Sequence, residues 1–192
     1  ILLTGCSFSK EKDNISSFID YNKKKDTYKI KGEMSLVSDE DTFNYDLEVS
    51  VYDQDLYKVS LSNKLNNHEQ IILRNSDGVY VLTPSLNKSF KFQSDWPYNN
   101  SQTYILQTIA KDIENDSEKD FKQTTDGYII TTNVNYSNKQ DLVRQNIYLD
   151  KDGNINKIEV TNAENQPKII MNFTSIDFDV NLSDDNFSLD KN

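Results

Sequence analysis

From Thr27 onwards apolar and polar residues alternate almost one by one, and that alternation leaves few folds open. Tyr28, Ile30, Met34 and Leu36 interleave with Lys29, Lys31, Glu33 and Ser35. Phe43, Tyr45, Leu47, Val49 and Val51 do the same against Asn44, Asp46, Glu48 and Ser50. Successive side chains of a strand point to opposite faces, so such runs predict antiparallel strands with one face on a core and one in water. Turn signals separate them: Ser38-Asp39-Glu40-Asp41, Tyr52-Asp53-Gln54-Asp55 and Asn75-Ser76-Asp77-Gly78. Further strands are expected at 57–62, 70–74, 79–83, 90–92, 128–136, 142–149, 155–160 and 168–180. Asp126-Gly127 and Asp152-Gly153 supply the positive-φ positions that tight hairpins need.

Two stretches depart from this period. Ile15, Phe18 and Ile19 share one face of a helix expected within residues 7–25, which ends on Lys23-Lys24-Lys25. Ile105, Leu106, Ile109, Ala110 and Ile113 form the stripe of a second, over 101–114. The tail keeps Phe178, Val180, Leu182, Phe187 and Leu189, so it is expected to pack. No linker divides the chain. The expectation is one α+β domain: a long, curved antiparallel sheet covered by two or three helices.

The chain opens on Ile1-Leu2-Leu3-Thr4-Gly5-Cys6 and then turns polar. Leu3-Thr4-Gly5-Cys6 matches the pattern at which a bacterial lipoprotein signal is cut before a cysteine that receives lipid. Residues 1–5 are accordingly expected to be the remnant of a signal, residues 6–25 a lipidated tether and helix, and residues 26–192 the domain. Cys6 is the single cysteine, which excludes an internal disulfide. Anchoring would come from acyl chains, at roughly 0.8 kcal/mol per buried CH₂. The formal net charge of −10 argues against nucleic acid and against adsorption to anionic lipid.

Catalytic groups are sparse. His68 is the sole histidine, where a zinc site needs several His or Cys ligands and a nucleophilic site needs a partnered base. The carboxylate pairs Asp39/Glu40/Asp41, Asp53/Asp55 and Asp184/Asp185 sit in solvated turn segments. Two catalytic carboxylates would instead face each other across a cleft, one of them with a raised pKa. Asp150-Lys151-Asp152-Gly153-Asn154 resembles the start of a calcium loop but lacks its closing glutamate, so it reads as a hairpin turn. No cofactor, metal site or catalytic residue is expected. The aromatic segment from Phe90 to Tyr98 is the best contact surface, and Phe92, Trp96 and Tyr98 are its expected partner-binding residues.

The order of these elements resembles the LolA/LolB-like lipoprotein-sorting family, an incomplete antiparallel barrel closed by helices. The resemblance is carried by Asn75-Ser76-Asp77-Gly78-Val79-Tyr80-Val81-Leu82-Thr83-Pro84, by Asp150-Lys151-Asp152-Gly153-Asn154-Ile155-Asn156-Lys157-Ile158, and by Asn172-Phe173-Thr174-Ser175-Ile176-Asp177-Phe178 followed by Phe187. Within that family, the lipidated, acidic composition is similar to the clostridial germination lipoproteins of the GerS type. That resemblance implies a non-enzymatic, membrane-anchored, extracytoplasmic protein of the spore envelope. The implied partner is a zinc-dependent N-acetylmuramoyl-L-alanine amidase of the CwlD type, which acts toward muramic-δ-lactam in the spore cortex. The alternative is an apolar-ligand carrier or lipoprotein-sorting module, which a lipid tether on Cys6 disfavours because a sorting carrier must diffuse. Edge strands also open the way to a homodimer by strand exchange.

Overall fold

The computed structural model describes residues 5–92, 102–136 and 141–192, the side chains of residues 5–13 excepted. Helix α1 (Gly5–Lys23) leads into β1 (Tyr28–Val37), β2 (Thr42–Tyr52), β3 (Leu56–Asn63), β4 (Glu69–Asn75), β5 (Gly78–Thr83) and β6 (Lys88–Lys91). Helix α2 (Leu106–Asn115) follows, then β7 (Asp120–Gln123), β8 (Tyr128–Asn133), β9 (Leu142–Leu149), β10 (Ile155–Asn162) and β11 (Pro167–Asp177). The eleven strands form one open sheet in the order β6-β5-β4-β3-β2-β1-β11-β10-β9-β8-β7, antiparallel throughout. With α1 and α2 on one face, this is the expected α+β architecture.

The sheet is two meanders joined at a single seam. β1 pairs with β2 on one side and with β11 on the other, so the first and last strands lie at its centre. The seam register slips between Lys31 and Gly32. A Cβ on Gly32 would stand 2.3 Å from the Asn172 carbonyl oxygen, so only glycine permits this approach.

The alternation buries the predicted stripe against the helices. Tyr28, Ile30, Leu47, Val49, Val51, Val59, Ile147, Ile158 and Met171 are sealed from water beneath Phe18 and Ile19 of α1 and Ile109, Ala110 and Ile113 of α2. The stripe of β2 runs out at Phe43, which is 48% exposed. α2 begins at Leu106 rather than near residue 101, because Ile105 stays extended (φ −111°, ψ 117°). Ile105 caps the helix without a side-chain hydrogen bond. The hydroxyl of Tyr28 takes that role: it accepts the Leu106 N–H at 3.0 Å and donates to Gln107 Oε1 at 2.6 Å.

A second, smaller core lies on the opposite face. Register places Leu73 beside Lys58 and Tyr80, and Ile71 beside Leu82, all facing away from the helices. After β11 the chain runs to two 3₁₀ turns, Asp184–Phe187 and Leu189–Lys191. There Leu182 and the fully buried Phe187 cover Ile71, Leu73, Tyr80 and Leu82. Asn75 Nδ2 donates to the Phe187 carbonyl, and Lys58 Nζ to Asn192 Oδ1, tying the tail down.

β7 is the one strand the alternation did not anticipate. It enters a hairpin with β8 whose turn holds Gly127 at φ 154°. A Cβ there would lie 2.0 Å from the Leu149 carbonyl oxygen.

Candidate partner-binding surface

β6 exists because the chain reverses tightly after β5. Pro84 starts a 3₁₀ turn, and Asn87 closes it in the left-handed region (φ 48°, ψ 45°), its N–H donating to the Pro84 carbonyl. This sets Lys88–Lys91 as the outermost strand beside β5. Every residue of β6 is exposed. Phe90 lies on the helix side with Val81 and is 65% exposed. Phe92 is half-buried; its N–H donates to the Val79 carbonyl, and its ring meets Phe90 edge-on at 5.7 Å. Lys91 points to the other face, over the Tyr80 ring at 5.4 Å. Leu86, at the turn, is 61% exposed. The edge therefore carries Leu86, Phe90 and Phe92 interleaved with Lys88 and Lys91. Trp96 and Tyr98 lie outside the described residues, so Phe92 alone of the three expected contact residues is placed.

A concavity of about 370 Å³ opens between α1 and the end of β11. Phe18, Tyr21 and Asn22 line it from the helix, and Phe173, Ile176 and Phe178 from the sheet. Lys25 Nζ stands 4.2 Å from both the Tyr21 and Phe178 ring centroids, a cation held between two π faces.

Several turn carboxylates gather at one end of the sheet. Asp53 and Asp55 of the β2–β3 turn meet Asp77, Asp184 and Asp190 around an open cleft of about 520 Å³ under the C-terminal 3₁₀ turns. Asp53, Asp55, Asp77 and Asp184 belong to separate turn segments of the sequence. They converge because the tail returns to the β2–β3 and β4–β5 hairpins, a tertiary event no local signal announces. Asp55 pairs with Arg74 Nε at 3.3 Å, and Asp185 pairs with Lys191.

The shifted carboxylates all move downward. The hydrogen bond and charge of Lys168 lower the pKa of Asp39. For Asp116, burial opposes ionisation, but the N–H groups of Asn133 and Glu118 and the Thr132 hydroxyl outweigh it and lower its pKa. Asp150 is lowered by Asn154 and by the N–H groups of its own turn, whose Asp152 and Asn154 amides it accepts at 2.9 and 2.8 Å. That geometry makes residues 150–154 an Asx-type hairpin turn. His68 is exposed on the β3–β4 hairpin. Among the described residues, no group of three or more His, Cys, Asp or Glu is placed to hold a metal ion. Cys6 lies in the first turn of α1, with its side chain among those not described.

No protein-family model matches the chain. Its whole length aligns at 33% identity with the sporulation protein YdcC of Bacillus subtilis, and it spans 57% of that relative. Among solved structures, an uncharacterised conserved protein of Thermus thermophilus aligns with 92% of this chain and 91% of its own (TM-score 0.57, 9% identity), which shows a shared fold. A LolA superfamily protein of Nitrosomonas europaea covers 92% of this chain and 98% of its own (TM-score 0.48, 10% identity). A chain from the complex of the CwlD amidase with the GerS lipoprotein of Clostridioides difficile covers 90% of this chain and 96% of its own (TM-score 0.47, 17% identity).

Proposed function

We propose that this chain is the extracytoplasmic domain of a membrane-anchored, non-catalytic sporulation lipoprotein. It acts by binding and supporting a cortex-modifying N-acetylmuramoyl-L-alanine amidase of the CwlD type. The observation that carries a sporulation role is the 33% identity with YdcC across the whole of this chain. The choice of an amidase as partner rests on the similarity of the lipidated, acidic composition to the clostridial germination lipoproteins. Diacylglycerol on Cys6 holds the domain at the membrane. Phe92, with Trp96 and Tyr98, contacts the partner, and Phe90 extends that aromatic edge.

The test mixes the purified domain with the amidase and follows co-elution and amidase activity. Co-elution with a change in activity supports the reading. Two independent elution profiles and unaltered activity overturn it. A Phe90→Ser/Phe92→Ser variant that stays folded and still binds at full strength removes the aromatic edge from the proposal.

One observation favours the carrier alternative. The concavity beside α1 is within the size range of small-ligand sites, about 300–1,000 Å³, and Phe18, Phe173, Ile176 and Phe178 supply the apolar part of a lining that Asn22, Asn154, Thr174 and Ser175 make polar elsewhere. A fluorescent fatty-acid probe displaced by Phe173→Asp would support it, and a probe that does not bind the wild-type domain would dismiss it.

A further inference from the structure

The open sheet ends in β7, and the backbone groups on the outer side of that strand have no strand beside them among the described residues. Which groups those are follows from the hairpin. The Thr124 N–H donates to the Gly127 carbonyl at 2.8 Å, so Thr124 and Gly127 form a hydrogen-bonded pair. Antiparallel pairs alternate between hydrogen-bonded and non-hydrogen-bonded. Lys122/Ile129 and Asp120/Thr131 therefore bond inward, while Phe121 and Gln123 turn their N–H and C=O groups outward.

Side chains alternate independently. Phe121 lies on the helix side with Ile130, stacked on Tyr128 at 5.3 Å. Asp120 and Lys122 stand exposed on the other face.

Charged residues on an edge strand usually repel a second copy. Here the order of charges does the opposite in one register. When two β7 strands run antiparallel with Phe121 opposite Phe121, the outward backbone groups match. Asp120 of each copy then faces Lys122 of the other. Sliding by one repeat of the ladder places Asp120 against Asp120; sliding the other way places Lys122 against Lys122. A single register is thus attractive, and both of its neighbours are penalised.

We propose that β7 is a self-association edge, through which a second copy of this chain adds antiparallel across a two-fold axis. The interface is centred on Phe121 and registered by two Asp120–Lys122 pairs. It extends the sheet without any exchange of strands. Four residues a side make a small interface, so the dimer is weak in solution and is favoured where a membrane raises the local concentration.

The test is sedimentation velocity of the lipid-free chain carrying Cys6→Ser, which removes disulfide-linked dimers, at low salt and up to millimolar protein. The expected result is a monomer–dimer equilibrium. Asp120→Lys and Lys122→Glu should each weaken it by about tenfold or more, since two opposed pairs change from attraction to repulsion. The double variant should restore it. An equimolar mixture of the two single variants, each monomeric alone, should also dimerise, because they are complementary at both pairs. Circular dichroism confirms that each variant is folded. A wild-type chain that stays monomeric throughout overturns the proposal. So does a dimer indifferent to both reversals, the outcome expected of strand exchange or another surface, and so does a mixture that fails to associate.

Discussion

Replacing Tyr28 by phenylalanine tests how α2 is held. Tyr28 is fully buried, and its ring would stay in place, so the change removes a hydroxyl and little else. That hydroxyl is the acceptor for the buried Leu106 N–H and the donor to Gln107 Oε1. An N–H left buried without a partner costs about 1–3 kcal/mol. Gln107 is only half-buried and can turn to water, so its loss adds little. The expected destabilisation is about 2 kcal/mol. At about 2–4 °C per kcal/mol for a chain of this size, the melting midpoint should fall by about 4–8 °C. Urea unfolding at neutral pH gives the free energy, with an unchanged slope showing that the same surface is exposed. Amide exchange at Leu106 should accelerate alongside. Tyr128→Phe is the control: Tyr128 is half-buried and keeps its stacking on Phe121, and its stability should move by no more than about 0.5 kcal/mol. A Tyr28→Phe loss as small as the control's, with Leu106 still protected, would refute the idea that a tyrosine caps this helix.

Alkali should unfold the protein through its interior tyrosines. Burial pushes the hydroxyls of Tyr28, Tyr57 and Tyr104 well above the phenol range, and that of Tyr136 to about 12. Their protons are kept in the fold and lost near pH 10 in the unfolded chain. Stability is therefore full below about pH 10 and falls above it, by up to about 1.4 kcal/mol per pH unit for each group. Urea midpoints that do not change from pH 10 to about 12 would contradict this. Gly127→Ala should cost about 1–3 kcal/mol, because the methyl meets the Leu149 carbonyl rather than a movable side chain. Phe187→Ala should cost about 3–5 kcal/mol in the same assay, and near-neutral behaviour would show that the outer-face core contributes nothing.

Much of this fold was readable from alternation, because each half-buried strand repeats its pattern over enough residues to be distinctive. β7 was not, since Asp120-Phe121-Lys122-Gln123 offers a single apolar residue. The outer-face core left a signal that could have been used. Ile71-Ile72-Leu73 and Val79-Tyr80-Val81-Leu82 are unbroken apolar runs, which predict burial on both faces rather than one. The tail residues that supply the second cover, Leu182 and Phe187, were expected to pack but without a destination. Of the surface, Phe92 was anticipated as an aromatic contact, whereas the concavity beside α1 joins residues about 150 apart in sequence, a meeting that only tertiary structure creates. The hydroxyl cap on α2 is illegible for the same reason: nothing around Leu106 hints that Tyr28 is its partner.

The central seam also fixes an order in which strands find their partners as the chain emerges, N-terminus first. β1 emerges among the first strands, and β2 through β6 pair beside it as they appear, each with the strand just made. Its other side waits for β11, the last strand of the chain. Until then the emerging chain carries, at what will become its middle, an open ladder of N–H and C=O groups from Lys29 to Leu36. The nascent protein is therefore most vulnerable to mispairing at the place where the finished one is best protected, and a chaperone that shields β1 would act before β11 arrives.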